Sequence, residues 1–256
     1  ILAAGSSDGT IRIWDIGLQS LRHTISGQGE AITRVVLTDA GTVTSTDAAG
    51  RIKVWRIAND AMPRTYRRHT GDVRCLAYSP NGRRLASGSD DGMVYLWPQR
   101  GTEALPTLRH ETTVAAVVFV DNNRLLAAAG NNAWIWTLDS ELAPIEYNGH
   151  ADLVTAAAAA ADGRSILTGS RDGSARLWKT DSGQVLQIFN QHLGAVRAVA
   201  FLPDGRQAVS AGDDGSVRFW DVTTGAATGG FDGGAPVSAV AVGAQGLLAV
   251  GYREGS

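Results

Sequence analysis

Short alternating runs of apolar and polar residues recur along this 256-residue chain, and each ends in a tryptophan. Val217-Arg218-Phe219-Trp220 is one such run, and similar runs end at Trp14, Trp97 and Trp178. Each follows an Asp-Gly pair, which favours a tight hairpin turn that leads into a half-buried strand. Six tryptophans are spaced by about 40 residues, at Trp14, Trp55, Trp97, Trp136, Trp178 and Trp220. That period indicates a repeat protein whose units stack to bury their apolar faces.

A second shared phrase precedes each of these runs. It is clearest at 73–89 and 196–212, and weaker forms occur at 32–46, 114–129, 154–170 and 237–251. Its apolar run is almost unbroken, as in a strand covered on both faces, and Pro-Asn-Gly or Pro-Asp-Gly then turns the chain into the next strand. A more polar stretch, such as 64–68 or 185–190, completes each unit. Four strands per unit predict the blade of an all-β propeller.

For one alanine-rich stretch the repeat pattern and the local helix propensity predict different structures. Residues 156–161 are all alanine, the best helix former and a poor strand former. The repeat register places them in the innermost strand of the fifth unit, so we predict a strand. This strand lacks the aromatic residue that Tyr78, Phe119 and Phe201 supply elsewhere, and we therefore expect a thinner core there.

Polar residues lie at fixed positions before three of the tryptophans. An Asp, a hydroxyl residue and a His precede the Trp by 6, 10 and 28 positions, respectively. Ser, His and Asp also form hydrolytic triads, but three copies at one repeat offset favour architecture over catalysis. The sets are His69, Ser87, Asp91 and Trp97; His150, Thr168, Asp172 and Trp178; and His192, Ser210, Asp214 and Trp220.

These features together resemble the WD-repeat family, named for a Trp-Asp pair that is present here as Trp14-Asp15 and Trp220-Asp221. The resemblance covers the whole chain and implies a β-propeller. It also implies that each set forms a hydrogen-bonded chain, in which the turn carboxylate holds the His and the hydroxyl bonds to the indole N–H. The high content of Ala, Gly and Arg resembles bacterial members of the family.

The set is incomplete in the other units. Gln28, 27 positions before Trp55, takes the His position there, whereas Ser45 is kept and Ala49 replaces Asp. His110 precedes Trp136, but the shortened turn supplies no Asp. We expect these blades to be less stable.

The strand pattern predicts a single propeller domain over residues 1–256. Partial blades are expected at 1–30 and 235–256, and complete blades at 31–70, 71–110, 111–150, 151–192 and 193–234. This makes 25 strands, whereas a closed ring has 24 for six blades or 28 for seven. We expect seven blades that are incomplete at both ends, and a six-bladed closure stays open as an alternative.

Composition excludes several classes of function. The formal net charge of −2 gives no general attraction to nucleic acid or anionic lipid. Cys75 is the single cysteine, so there is no disulfide framework, and no apolar run reaches the 18 residues of a membrane span. The pairs Asp90-Asp91 and Asp213-Asp214 lack further oxygen ligands at suitable spacing. We therefore expect no metal, no cofactor, no nucleic-acid partner and no membrane insertion.

The resemblance implies that hairpin turns and the links between blades share one face, which seats peptides or folded proteins. For this face we predict a set of ten residues, in which Tyr252 is an exposed anchor and two arginines line the mouth of a central channel. The set is Asp72, Asp90, Asp152, Arg171, Leu193, Asp213, Tyr252 and Arg253, with Arg74 and Arg197 at the channel.

The predicted function is therefore a non-catalytic scaffold for a protein or peptide partner of unknown identity, within a larger polypeptide or assembly. One alternative is a propeller that holds a catalytic site or cofactor in its channel. Catalysis in the channel would require a general base at the ends of the innermost strands. The residues at these positions include no general base; they are Thr33, Arg74, Ala115, Thr155, Arg197 and Ser238. Another alternative is a structural part of a fusion whose activity lies elsewhere. The sequence does not indicate a cellular compartment.

Overall fold

The computed structural model describes residues 1–26, 29–38, 41–57, 63–99, 105–243 and 245–253. In these ranges the chain forms 25 β-strands and no helix. The strands make seven antiparallel sheets, and neighbours along the chain are neighbours in each sheet. Five sheets have four strands, one has three and one has two. The all-β class and the four-stranded antiparallel blade of a β-propeller are therefore confirmed.

The sheets are numbered here in chain order. Sheet 1 contains β1 (Leu2–Gly5), β2 (Ile11–Asp15) and β3 (Ser20–Ile25). Sheet 2 contains β4 (Ile32–Leu37), β5 (Thr42–Asp47), β6 (Ile52–Arg56) and β7 (Arg64–Tyr66). Sheet 3 contains β8 (Val73–Tyr78), β9 (Arg84–Ser89), β10 (Met93–Pro98) and β11 (Thr107–Arg109). Sheet 4 contains β12 (Val114–Phe119), β13 (Arg124–Ala129), β14 (Asn132–Thr137) and β15 (Ile145–Tyr147).

The last three sheets follow the same order. Sheet 5 contains β16 (Val154–Ala159), β17 (Ser165–Ser170), β18 (Ala175–Lys179) and β19 (Val185–Phe189). Sheet 6 contains β20 (Val196–Phe201), β21 (Gln207–Gly212), β22 (Ser216–Asp221) and β23 (Ala227–Asp232). Sheet 7 contains β24 (Val237–Val242) and β25 (Leu248–Tyr252).

The chain divides into two compact units. Unit 1 is Ile1–Val114 and unit 2 is Ala115–Ser256. Sheets 1 to 3 lie in unit 1, and sheets 4 to 7 lie in unit 2 except for the first residue of β12. The single domain over 1–256, its blade boundaries and the number of blades stay predictions.

The second strand of every four-stranded sheet is its most buried element. In β5, β9, β13, β17 and β21 the last five residues are all buried. Many of these residues are Ala, Ser, Thr or Gly, because neighbouring sheets pack closely on both sides. At Gly169 a Cβ atom would lie 2.6 Å from Cγ1 of Val196 in the next sheet. Glycine is therefore required at this close approach between sheets 5 and 6.

Two tryptophan-bearing strands of unit 2 pack against the preceding sheet. Trp178 of sheet 5 joins a buried cluster with Leu126, Ile135 and Tyr147 of sheet 4. Trp220 of sheet 6 does the same with three residues of sheet 5, which are Leu167, Leu177 and Phe189. The rings of Phe189 and Trp220 are stacked, with their centroids 4.9 Å apart. The hydrophobic core is thus divided into layers between successive sheets, as stacked repeats require.

The alanine-rich stretch forms a strand, as the register predicts, and not the helix that propensity favours. Ala157 and Ala159 pack against the cluster shared with sheet 4, whereas Ala156 and Ala158 pack against the cluster shared with sheet 6. Pairing with β17 and packing on both faces therefore outweigh the helix propensity of alanine. The strand ends two residues before the alanine run does, because Ala160 begins the hairpin turn that Gly163 closes.

We expect Leu167→Ala to lower the free energy of unfolding by about 2–5 kcal/mol, since it leaves a cavity between two sheets. Leu167 is completely buried. The control is Leu186→Ala on the outermost strand β19, where the side chain is 42% exposed and the change should be about 0.5 kcal/mol or less. Urea unfolding followed by circular dichroism measures both variants. Equal losses would contradict the layered core.

Candidate functional site

The structure brings together the members of each predicted His-Asp-hydroxyl-Trp set. In sheet 3, His69 Nδ1 lies 3.0 Å from Asp91 Oδ2 and His69 Nε2 lies 2.7 Å from Ser87 Oγ. The indole Nε1 of Trp97 donates to Ser87 Oγ at 2.9 Å. In sheet 5 the His150 ring lies 2.9 Å from Asp172 and 2.7 Å from Thr168, and the Trp178 indole donates to Thr168 at 2.8 Å. In sheet 6 the corresponding distances are 3.1, 2.7 and 2.7 Å, for His192 to Asp214, His192 to Ser210 and Trp220 to Ser210.

The direction of these hydrogen bonds follows from the donors available. An indole N–H can only donate, so the Thr168 oxygen accepts from Trp178 and its own proton goes to His150 Nε2. Nε2 is then an acceptor, and the imidazole proton is on Nδ1, where it donates to Asp172. Each side-chain donor in this series of hydrogen bonds thereby has an acceptor, with a neutral His and an ionised Asp. We call this arrangement the relay.

Each Asp of a relay also connects two loops. Asp172 lies in the hairpin turn before β18, and its Oδ2 accepts the backbone N–H of Ala151 in the link before β16, at 3.0 Å. Asp214 accepts the N–H of Leu193 at 2.9 Å in the same way. In unit 1, Asp91 accepts the N–H of Thr70 at 2.9 Å. The relay therefore fixes the turn against the link in each of these sheets.

Sequence reasoning missed a further member in two relays. Ser174 Oγ donates to Asp172 Oδ1 at 2.7 Å and lies 3.2 Å from His150 Nδ1. Ser216 has the same two contacts with Asp214 and His192. The shared Asp-Gly-Ser phrase was the available signal, and Met93 takes this position in sheet 3.

Burial and hydrogen bonding shift the pKa values of the relay groups. Burial lowers the pKa of His150 below its ordinary value of 6.5, although Asp172 opposes the shift. Burial by itself would raise the pKa of Asp172, but hydrogen bonds from Ser174, Ala151 and His150 outweigh it and hold the pKa at about 2. Asp214 has a pKa of about 2 for corresponding reasons. These shifts agree with a neutral His beside an ionised Asp.

The sheets with incomplete sets use other contacts. Trp55 Nε1 donates to Ser45 at a longer distance of 3.3 Å. The turn beside it is held by buried Asp47, whose carboxylate accepts from Arg51 Nε at 2.6 Å. Gln28, the residue at the His position, lies outside the described residues. Burial lowers the pKa of His110 to about 4. The lower stability of these blades stays a prediction.

A β-bulge occurs near the start of five innermost strands, a feature that the sequence did not reveal. In each of these strands the pairing register skips one residue. A bulge turns one side chain out of the regular alternation and re-aims it. We call the skipped positions bulge residues, and they are Thr33, Arg74, Thr155, Arg197 and Ser238.

A hairpin-turn residue is held beside each bulge residue by the backbone. We call these positions turn residues, and they are Ala48, Asp90, Arg171, Asp213 and Arg253. The N–H of each donates to the carbonyl of the residue two positions before the bulge residue, at 2.9 to 3.0 Å. The frame is therefore the same in five sheets, whereas the side chains that it carries differ.

In unit 1 this frame forms an acidic group in sheet 3. The bulge residue Arg74 bonds through Nε to both carboxylate oxygens of the turn residue Asp90, at 2.8 and 2.9 Å, and through Nη2 as well. A second carboxylate, Asp72, lies 3.7 Å from Arg74 Nη2. Hydrogen bonds from Arg74 lower the pKa of Asp90. One guanidinium thus faces two carboxylates, which leaves a negative charge in excess.

In unit 2 the same frame forms a basic group in sheet 6. Arg197 bonds to the turn residue Asp213 through Nε at 2.9 Å and Nη2 at 2.5 Å. Arg253 Nη2 of sheet 7 lies 3.6 Å from Asp213 Oδ1. Hydrogen bonds from Arg197 lower the pKa of Asp213, and the charges of Arg253 and Arg171 add to this effect. Two guanidinium groups thus contact one carboxylate, and Arg171 adds its charge from the turn of the preceding sheet; we call these four residues the arginine cluster.

Two exposed leucines lie in the links next to the arginine cluster. Leu193 is 94% exposed, and a Cβ on the following Gly194 would lie 3.2 Å from Cβ of Asp213. Leu153 is 38% exposed, and its carbonyl accepts the backbone N–H of Arg171. Asp152 is exposed beside it, and its Oδ1 accepts the N–H of Leu153 at 2.6 Å.

The expectation that Tyr252 is an exposed anchor is wrong. Its side chain is half-buried and packs against a cluster that contains Val209, Val217 and Val237. Tyr252 pairs with Val237 at the start of sheet 7, and this register turns its ring toward the core. Tyr252 is therefore a packing residue.

Other site classes have little support in the described ranges. No group of three or more His, Cys, Asp and Glu residues is placed to hold a metal ion there. None of the described residues belongs to a helix that could cross a membrane.

The chain is similar to known proteins along most of its length. The family model described as "WD domain, G-beta repeat" matches residues 1–15, 62–98, 144–179 and 183–221. With four matched segments and seven meander sheets, the chain belongs to the WD-repeat family. It is 27% identical over 194 residues to "Guanine nucleotide-binding protein subunit beta" of Oryza sativa subsp. indica, covering 67% of this chain and 51% of that protein.

Two further relatives come from animals. The chain is 29% identical over 189 residues to "GATOR2 complex protein WDR24" of Homo sapiens, covering 68% of this chain and 24% of that protein. It is 34% identical over 91 residues to "Small ribosomal subunit protein RACK1" of Caenorhabditis elegans, covering 35% of this chain and 28% of that protein. The chain thus spans about half or less of the length of these relatives. All three are eukaryotic, so they give no support to the expected bacterial character.

We expect Thr168→Val to lower the free energy of unfolding by about 2–4 kcal/mol, because the buried indole of Trp178 and imidazole of His150 both lose their partner. The matched control is Thr223→Val at an exposed loop position, which should be nearly neutral. Chemical denaturation at pH 7.5 measures both. A loss in Thr168→Val no greater than in the control would show that the relay does not stabilise the sheet.

The relay should make stability depend on pH. Because the pKa of folded His150 is below 6.5, the unfolded chain binds its proton first, and the free energy of unfolding falls as the pH drops below about 7. We expect His150→Gln to reduce this slope between pH 7 and 5 by up to about 1.4 kcal/mol per pH unit. Urea midpoints at several pH values measure the slope, with His23→Gln on exposed β3 as the control. An unchanged slope in His150→Gln would contradict the relay assignment.

Proposed function

We propose that this chain is a non-catalytic scaffold that binds a protein or peptide through its turn residues, bulge residues and blade links. The observation that carries this proposal is the constant backbone frame with variable, exposed charged side chains. A stiff frame places these groups without a large loss of conformational entropy on binding. Loops on a rigid scaffold are where binding residues concentrate.

The predicted face residues support this proposal unequally. Asp72, Arg74 and Asp90 form one charged group in unit 1, and the arginine cluster with Leu193 and Asp152 forms another group in unit 2. Tyr252 is not included in the proposed binding face, because its ring packs against the buried cluster between sheets 6 and 7. Nine of the ten residues predicted from the sequence therefore remain part of the proposed face.

The relay residues are proposed to be structural and not catalytic. A nucleophilic hydroxyl must reach a substrate, whereas Thr168 and Ser210 are completely buried and accept hydrogen bonds from indole N–H groups. The His150 side chain is 1% exposed. The bulge residues, moreover, are Thr, Arg and Ser, which supply no general base of ordinary pKa near neutrality.

The relatives support the proposal by analogy. The names of the three relatives describe a subunit, a protein of a complex and a protein of the small ribosomal subunit. Membership of a larger assembly is accordingly part of the proposal for this chain. None of those assemblies is assigned to it.

A peptide-display selection on the immobilised chain tests the proposed function. Enriched peptides should bind at least about 10-fold more weakly to Leu193→Asp and to Arg171→Glu, since interface energy concentrates in a few central residues. The controls are Leu186→Asp on β19 and Arg206→Glu in the loop before β21, which are exposed positions in the same unit. Melting temperatures verify that all four variants are folded. A selection without enriched peptides, or binding that is equally weak in the controls, would overturn the proposal.

A further inference from the structure

The two charged groups that share the turn-and-bulge frame have opposite signs. In sheet 3 Arg74 faces Asp90 and Asp72, whereas in sheet 6 Asp213 faces Arg197 and Arg253 and also feels the charge of Arg171. The backbone that holds them is the same. The difference therefore lies only in the side chains, and it implies different partners for the two groups.

The arginine cluster has more donors than its carboxylate can accept. Arg197 already occupies both oxygens of Asp213 through its planar fork, at 2.9 and 2.5 Å. Arg253 comes no closer than 3.6 Å and is 52% exposed. Arg171 is exposed and influences Asp213 through its charge. Arg171 and Arg253 therefore present positive charge that Asp213 does not neutralise, and a guanidinium binds a carboxylate with two parallel hydrogen bonds.

The carboxylates of Asp152, Asp172 and Asp214 offset the formal charge of the cluster, but those of Asp172 and Asp214 are 10% exposed and bonded within the relays. Asp214 is ionised, but its side chain is 10% exposed and its oxygens accept bonds from His192, Leu193 and Ser216 inside the sheet. Asp152 is exposed in the link beside Arg171. The carboxylate of Asp152 should therefore weaken the binding of an acidic ligand. Removing its charge should strengthen binding, whereas removing the charge of Arg171 or Arg253 should weaken it.

The apolar neighbour narrows the class of partner. A nearly fully exposed Leu193 next to the cluster offers a contact for an aliphatic side chain, which a peptide supplies and a sugar-phosphate backbone does not. Nucleic acid also requires several phosphate contacts along a basic stripe, whereas this chain has a net charge of −2. A protein segment with carboxylates and an apolar residue fits both features.

We propose that the arginine cluster and Leu193 bind an acidic segment of the partner protein. Carboxylates of the segment pair with Arg171 and Arg253, and an adjacent aliphatic side chain packs on Leu193. The hydrogen-bonded pair of Arg197 and Asp213 positions Arg253 within the cluster. This inference rests on the proposed function, and it specifies the chemistry of the segment that the face selects.

The test is the composition of the peptides selected by display at 150 mM salt. Peptides enriched on the wild-type chain should be rich in Asp and Glu and should contain an aliphatic residue. Synthetic versions with Gln and Asn in place of Glu and Asp should bind at least about 10-fold more weakly in fluorescence anisotropy. The double variant R171Q/R253Q should cause a similar loss, Asp152→Asn should strengthen binding, and Arg206→Gln is the control.

Charge reversal separates a direct contact from a structural effect. The double variant R171E/R253E should shift the selection from acidic to basic peptides while its melting temperature stays within a few degrees of the wild type. A lost site would give no such reversal. Neutral or basic peptides selected by the wild-type chain, lost in Leu193→Asp but kept in R171Q/R253Q, would overturn this inference and leave the proposed function intact. Tighter binding of a single-stranded oligonucleotide than of the acidic peptides would overturn it in favour of a nucleic-acid site.

Discussion

The placement of the loops depends on one hydroxyl oxygen in each complete relay. It accepts the indole proton and donates to the imidazole, and the imidazole in turn donates to the Asp in the hairpin turn. That Asp also holds the backbone of the preceding link. The relay therefore runs from the tryptophan in the core to the two loops at the surface. A buried donor without its acceptor would raise the free energy of the folded state. The relay therefore fixes the positions of the loops relative to the core.

The elements that repeat were the ones that could be predicted from the sequence. Strand positions and the relay contacts follow from phrases that recur with a fixed spacing, and this regularity placed even the alanine strand correctly. The bulges could not be predicted, because one skipped residue is defined by pairing across the sheet and leaves no local signal. Tyr252 was misjudged for a related reason. The direction of its ring depends on the register with Val237, which the sequence of β25 alone does not define.

The charged side chains of the face could be named from the sequence, but their combinations could not. Asp90 and Asp213 occupy the same repeat position and look equivalent along the chain. Their environments differ because Asp72, two residues before Arg74, lies beside one pair, and Arg253 of the next sheet lies beside the other. Only the three-dimensional arrangement distinguishes an acidic group from a basic one. Sequence reasoning thus gave the positions of the proposed site, whereas the fold gave its electrostatic character.

The constant frame beneath the turn residues has a consequence for evolution. Its hydrogen bonds join backbone atoms, so Ala, Asp and Arg are all accommodated at the same position. Mutations there can alter what the surface recognises while the buried architecture is unaffected. A duplicated unit is therefore free to diverge in specificity one residue at a time. The same independence makes these positions suitable for grafting new recognition residues onto the chain.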